Sequence, residues 1–254
     1  MDLQNTTVLV TGANRGIGRA LAERLAREPV AEVLLGVRDV AKVAPLEKGR
    51  AVAVDLSTRE SIEASVATLP AVDVLVNNAG LMTGGLLEEQ PLDDVYAMFQ
   101  VNLVGVAHLT ARLLPGMLKR PRGLIVNNAS ISGYASFPAA STYAAAKAGV
   151  VALSESLRRE LAPAGIEVMH LVTPGVETDM LDATRAAYGG HMDTAGWPSV
   201  SAAEWADKVV AAMTRGDHVV GPGGRLALAK LASRGPAFLL DSVSRRMFTR
   251  APRS

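Results

Sequence analysis

Short apolar runs rich in β-branched residues alternate with longer amphipathic stretches through the first two-thirds of the chain. Strand-length runs fall at residues 6–11, 32–37, 51–54, 72–77, 123–128 and 166–172. They are apolar on both faces rather than alternating, the pattern of strands covered by helices on each side. The amphipathic stretches predict helices over 17–27, stopped by Pro29, over 59–69, stopped by Pro70, over 92–118, and over 142–161, stopped by Pro163 and Gly165. Strand and crossover helix in alternation predict an α/β fold: a doubly wound, mostly parallel sheet with helices on both faces. No repeat, low-complexity linker or composition shift divides the chain, so residues 1–254 read as a single domain.

Beyond Thr178 the pattern loosens. Residues 179–199 mix Gly, Pro, charges and isolated rings (Tyr188, His191, Trp197) and read as a long loop acting as a substrate lid. A helix over 202–214 and a short strand over 218–220 follow. The remainder, 221–254, reads as a C-terminal helical extension broken at Gly235-Pro236. Its basic residues, among them Arg225, Arg234, Arg245 and Arg250, face the single acid Asp241. Packing on the sheet edge or a neighbouring subunit is the favoured reading of this tail, ahead of contact with an anionic membrane.

Composition narrows the classes. With 49% hydrophobic and 20% charged residues the chain can bury a large core, which excludes disorder as its main state. A net charge of +1 argues against a nucleic-acid partner. There is no cysteine, hence no disulfide framework or thiol chemistry. The chain enters an apolar strand directly, and its apolar runs fall short of the ~20 residues of a membrane span. A soluble, cytoplasmic protein is expected. His108, His170, His191 and His218 are scattered, and no metal site is expected.

The first strand delivers Thr11-Gly12-Ala13-Asn14-Arg15-Gly16-Ile17-Gly18 into the first helix. Gly12 allows a sharp turn, Gly16 lets backbone N–H groups approach a pyrophosphate, and Gly18 lets helix and strand pack closely. The helix N-terminus adds its unpaired donors and partial positive charge. The spacing Gly-x-x-x-Gly-x-Gly differs from the commoner Gly-x-Gly-x-x-Gly and resembles the opening motif of the short-chain dehydrogenase/reductase family. The resemblance continues through Asn77-Asn78-Ala79-Gly80, Asn102, Ser130, the Tyr143-x-x-x-Lys147 pair and the Pro174-Gly175 loop. It implies a Rossmann-like fold, a nicotinamide cofactor, a small carbonyl or alcohol substrate, and assembly as a homo-oligomer, dimer or tetramer.

Cofactor contacts are then expected from Gly12, Asn14, Arg15, Gly16, Ile17, Gly18, Asp55, Leu56, Asn77, Ala79, Gly80, Tyr143, Lys147, Pro174, Gly175, Val176 and Thr178. The threonine comes one residue sooner than in the commonest form of the motif. The second strand ends in Val37-Arg38, with no acid to accept from a ribose 2′-hydroxyl. Arg38, with Arg15, offers a guanidinium to a 2′-phosphate, which favours NADPH/NADP+ over NAD. Asp39 is the dissenting neighbour, able to pair with Arg38.

Tyr143 and Lys147, four apart, share one helix face. A phenol has a pKa near ~10, and a nearby ammonium stabilises its ionised form. The resemblance makes Tyr143 the acid/base, Lys147 its partner and a ribose ligand, Ser130 the donor to substrate oxygen, and Asn102 the holder of a relay water. Substrate contacts are expected from Ser130, Tyr143 and Tyr134. Met82-Thr83-Gly84-Gly85 reads as a loop at the substrate mouth. The expected reaction is NADPH-dependent reduction of a ketone or aldehyde. Oxidation of a secondary alcohol, and a cofactor-sensing scaffold acting through its tail, stay open as alternatives.

Overall fold

The computed structural model describes residues 1–194, 197–221 and 223. The readings of the tail as helical extension, partner surface or membrane contact lie outside these residues.

Seven parallel strands form the sheet: β1 (Thr7–Thr11), β2 (Glu32–Val37), β3 (Gly49–Ala53), β4 (Val74–Asn77), β5 (Gly123–Asn128), β6 (Ile166–Leu171) and, last in the chain, β9 (Val219–Val220). Their order is β3-β2-β1-β4-β5-β6-β9, so the sheet is doubly wound and reverses direction between β1 and β4. At such a reversal the loops leaving the two strands splay apart and open a crevice above their carboxyl ends.

Strand side chains feed two cores. Val8, Val10, Val33 and Leu35 point to one face, where α1 (Gly16–Ala26) and α7 (Ala202–Arg215) supply Leu21, Leu25, Trp205, Val209 and Met213. Leu9, Leu34 and Leu75 point to the other, against Ile62 of α2 (Arg59–Thr68) and Leu109 of α4 (Gly105–Met117). This period-two division of uniformly apolar strands is what the unbroken runs predicted.

The helix starts differ in their capping. A capping box closes α2 (Thr58 with Ser61) and another closes α7 (Ser201 with Glu204), satisfying their first N–H groups. Helix α1 has neither a side-chain cap nor an acid in its first turn. Its leading donors stay available to a ligand.

Two readings change. The helix expected over 92–118 is present as one rod, Leu92–Met117, in which α3 (Leu92–Phe99) passes through a wide π turn (Gln100–Val104) into α4. Gly105 explains the tight passage, since a Cβ there would lie 3.0 Å from the Gln100 carbonyl oxygen and 3.0 Å from Leu56. The rod Leu92–Met117 is also long and apolar enough, with mean hydropathy 1.2, to cross a membrane by length and composition. Here α4 packs on α2, and the π turn on α5 (Ser141–Leu161).

The second correction concerns 179–199, expected to be a loop. It opens with α6 (Asp179–Gly189). Leu181 and Tyr188, two turns apart, bury one face, while Asp179 and Asp182 complement the dipole of the first turn. The flanks are clipped together by β7 (Gly175–Val176) pairing with β8 (Ser199–Val200). Leu181 and Tyr188 are at helical spacing, but glycine and proline at the far end of the segment dominate its composition.

Candidate active site

The glycine loop sits at the reversal point. Gly12 has φ +69°, and a Cβ there would lie 2.9 Å from the Ala79 Cα, so β1 and the turn after β4 touch backbone to backbone. A Cβ on Gly18 would fall 2.2 Å from the Gly12 carbonyl oxygen and 2.5 Å from Asn78 Nδ2. A Cβ on Gly16 would meet Thr178 Cγ2 at 3.1 Å, placing the residue before α6 directly over the cradle. The open N-terminus of α1, backed by glycines no side chain could replace, is an anion site fit for a dinucleotide pyrophosphate.

Around it the expected contacts take different places. Asn14 and Arg38 are exposed, and Val37 is buried. Asp39 accepts from the Ala41 N–H and pairs with Lys42 at 3.0 Å, which resolves its competition for Arg38. Arg15 reaches Asp179 at 2.9 Å, both side chains exposed. Asp55 accepts from the Ser57 N–H in a short turn, and Leu56 is buried in the α2/α4 core with its carbonyl accepting from Gln100. Ile17 packs its side chain on the α1/α7 core, leaving its backbone for the cradle. The Thr178 hydroxyl donates to the Val176 carbonyl at 3.1 Å. Gly175 and Val176 form the short strand β7 beside β8, and Pro174 leads into it.

Asn77 is a departure. Its side chain is buried, donating to Thr110 and Asn127, whose own amide reaches Ser154. This side chain therefore braces α4 and α5 beneath the sheet. The residue that reaches the strand ends is Asn78, which donates to the Thr11 carbonyl at 3.0 Å. Asn128 donates to Asn78, and Thr173 donates to Asn128. This row ties together the carboxyl ends of β1, β4, β5 and β6, and its Asn128 carbonyl accepts from Lys147 Nζ at 2.7 Å. Asn128 and Thr173 were not singled out from the sequence, and their polarity at the ends of otherwise apolar strands was the available signal.

Ser130 caps a short 3-10 turn after β5, accepting from the Ser132 N–H, and bonds to Tyr143. Tyr143 and Lys147 lie one turn apart on α5, with Nζ 5.7 Å from the tyrosine ring centre. Burial pushes the Tyr143 phenol up to about 12, opposed by the Ser130 hydrogen bond. Burial also pulls the Lys147 ammonium down to about 8. The expectation that lysine brings the tyrosine pKa down is thus not met in this state. The ammonium is turned to the Asn128 carbonyl, and desolvation outweighs every attraction on the phenol.

Two further expectations change. The Asn102 amide, fully buried on the π turn, accepts from the Leu81 N–H and donates to the Leu81 carbonyl, each at 2.8 Å. Its side chain pins the Asn-Asn-Ala-Gly loop to the π turn. Tyr134, expected at the substrate, directs its hydroxyl to His170 Nε2 at 2.6 Å and packs on the Ala129/Val150/Val151 cluster. Among the described residues no group of acidic or histidine side chains could hold a metal ion.

Facing Tyr143 is an apolar wall that the sequence only hinted at. Tyr188, Ala139, Ala140 and Met192 are buried together, with Met82, Phe137 and Trp197 packed against them. Gln90, also missed, donates to the Gly85 carbonyl and accepts from Thr142, locking the loop to the first turn of α5.

A serine–tyrosine–lysine set on a doubly wound sheet, beside a glycine-lined anion cradle, defines a nucleotide-dependent oxidoreductase. Residues 6–189 match the family model for short chain dehydrogenases, and the chain belongs to that family. It is 36% identical over 192 residues to a 3-oxoacyl-acyl-carrier-protein reductase of Vibrio harveyi, covering 72% of this chain and 78% of that one. A short chain dehydrogenase from Burkholderia cenocepacia in complex with NADP superposes with a TM-score of 0.81 at 25% identity, covering 98% of this chain and 100% of that one. A 3-ketoacyl-acyl-carrier-protein reductase from Brucella melitensis complexed with NADH gives 0.75 at 27%, covering 88% and 99%.

Proposed function

We propose that the protein reduces a ketone or aldehyde to the alcohol with NADPH, Tyr143 supplying the proton. The observation that carries this reading is the placement of Tyr143: one turn before Lys147 on α5, beside Ser130 and over the carboxyl ends of β5 and β6. A phenol so placed can give its proton to a substrate oxygen that Ser130 orients.

Bound NADPH supplies the hydride. Gly12, Gly16, Gly18 and the open start of α1 hold the pyrophosphate, Arg38 and Arg15 meet the 2′-phosphate, and Asp55, Ala79, Gly80, Gly175 and Val176 flank the rest by backbone. Ser130 orients the substrate oxygen toward the Tyr143 hydroxyl. Lys147, anchored on Asn128, binds the ribose hydroxyls and stabilises the phenolate left when the proton departs.

We further propose assembly as a homo-oligomer in the cytoplasm. Leu92 and Tyr96, exposed to 70% and 74% on α3, and a cysteine-free composition support that reading. The test of the activity is loss of NADPH absorbance over a panel of ketones, aldehydes and oxoacyl thioesters. No turnover on any member, with cofactor binding intact, would remove the reductase reading.

A further inference from the structure

Resting on that reading, we infer that the substrate is a neutral ketone carrying a bulky apolar body, and that Tyr188 and Trp197 set the size and polarity it accepts.

Two independent features point this way. The first is the wall. Tyr188 is 3% exposed, its ring 5.8 Å from that of Trp197 at an edge-on 62°, and Phe137 lies 6.5 Å from Trp197 on the other side. These rings stand over the residues that open α5, whose first turn carries Tyr143. Gly84 completes the fit: a Cβ there would lie 2.3 Å from Tyr188 Cε1, so the ring rests directly on the loop backbone. Burial, and then the neighbouring Tyr143, push the Tyr188 phenol above its ordinary value. A carbonyl presented to Tyr143 therefore brings its substituent against rings and a thioether (Met82). Each methylene buried there multiplies binding about fourfold.

The second feature is the charge beside the wall. A cavity of about 390 Å³ is lined by Met82, Thr83 and Gly84 and, from α3, by Asp94 and Ala97, and it meets the wall at Met82. No Lys or Arg occurs between Arg59 and Arg112. Glu89 pairs with His191 at 3.4 Å, and Arg185 of α6 faces Asp182 at 3.9 Å. A sugar acid or a phosphorylated carrier arm would meet the acid on this lining and leave an unpaired, desolvated charge at the wall.

The test uses matched ketones with NADPH: 2-butanone, 2-octanone and benzylacetone for size, and 7-oxooctanoate with its methyl ester for charge. Expected is a rise in kcat/KM of at least about tenfold from butanone to the larger ketones, and a preference of about tenfold or more for the ester over the acid. Tyr188→Ala and Trp197→Ala should flatten the size series mainly through KM. Gly84→Ala, which displaces the Tyr188 ring without removing it, should do the same. A series that is flat in the wild type, or an acid used as well as its ester, overturns the inference. Quenching of tryptophan fluorescence by the apolar ketones without NADPH loss would uphold the wall while removing the reductase reading. Neither quenching nor turnover by any member would overturn both.

Discussion

Arg15, at the mouth of the phosphate cradle, and Asp179, the first residue of α6, meet at 2.9 Å across 164 positions of chain. One end of this pair is the guanidinium proposed for the 2′-phosphate. The other begins the helix that carries Tyr188 to the substrate wall. With side chains 73% and 79% exposed, the pair is screened by water and contributes no more than about 1 kcal/mol. A bound 2′-phosphate and Asp179 compete for the same cation.

Cofactor preference follows from that competition. Asp179→Asn should tighten NADPH by up to about fivefold, the equivalent of ~1 kcal/mol, with a smaller effect on NADH. Arg38→Asp should weaken NADPH by about tenfold or more and spare NADH, because a charge-assisted hydrogen bond contributes about 1.5–3 kcal/mol. Titration of both cofactors into both variants checks this. Wild-type protein binding the two cofactors equally would end the NADPH assignment.

Helix α6 should respond to ligands as a lid. Its amides should exchange faster in the ligand-free protein than in the presence of NADPH and a ketone, since its first turn touches the cradle and its last touches the wall. Exchange in α6 that is unchanged by both ligands would leave it as a fixed wall with no part in closure.

The pKa of buried Lys147 yields a prediction about stability. Its folded value of about 8 lies below its ordinary 10.5, so between these values the folded chain holds fewer protons than the unfolded one. Stability therefore rises with pH in that window, and below it the penalty of burying the ammonium is fully present. Relative to Lys147→Met, the wild type should gain on the order of 1–3 kcal/mol from about pH 7 to about pH 10, read from urea midpoints. Tyr143 acts oppositely above this range: its value is raised from 10.0 to about 12, so stability falls as pH climbs between them. A constant difference between wild type and Lys147→Met across the window would show that the ammonium is not desolvated.

Much of this was legible from the sequence, for local reasons. Strand runs such as 32–37 and 123–128 are bounded by turn residues, and the spacing of Gly12, Gly16 and Gly18 has meaning within one strand–turn–helix unit. What escaped depends on distant partners. Asn102 reads as a polar residue on a helix, and nothing nearby reveals that Leu81 takes both ends of its amide. Asn77 and Asn78 are adjacent and identical, yet the pleat sends one beneath the sheet to Thr110 and the other to Thr11. The Lys147 titration likewise follows from its burial, which spacing from Tyr143 does not reveal.

The catalytic assignment stands or falls on four substitutions read together. Tyr143→Phe removes the phenolic oxygen and its bond to Ser130 while keeping the ring beside Lys147. Folding and NADPH binding should survive, and turnover should fall by at least about 10²-fold, the low end for a general acid. Ser130→Ala should lower turnover with little change in cofactor affinity, because its hydroxyl is turned toward Tyr143 and the substrate side. Lys147→Ala should harm both, since one ammonium serves ribose and phenol. Asn128→Ala retains the backbone carbonyl that holds Nζ but breaks the row from Thr11 to Thr173. Its loss should therefore be smaller than that of Lys147→Ala and should appear as a shifted pH profile. If Tyr143→Phe kept near-normal turnover on a ketone the wild type reduces, the proton would have to come from another group. The Ser130-bonded phenol would then be a packing residue.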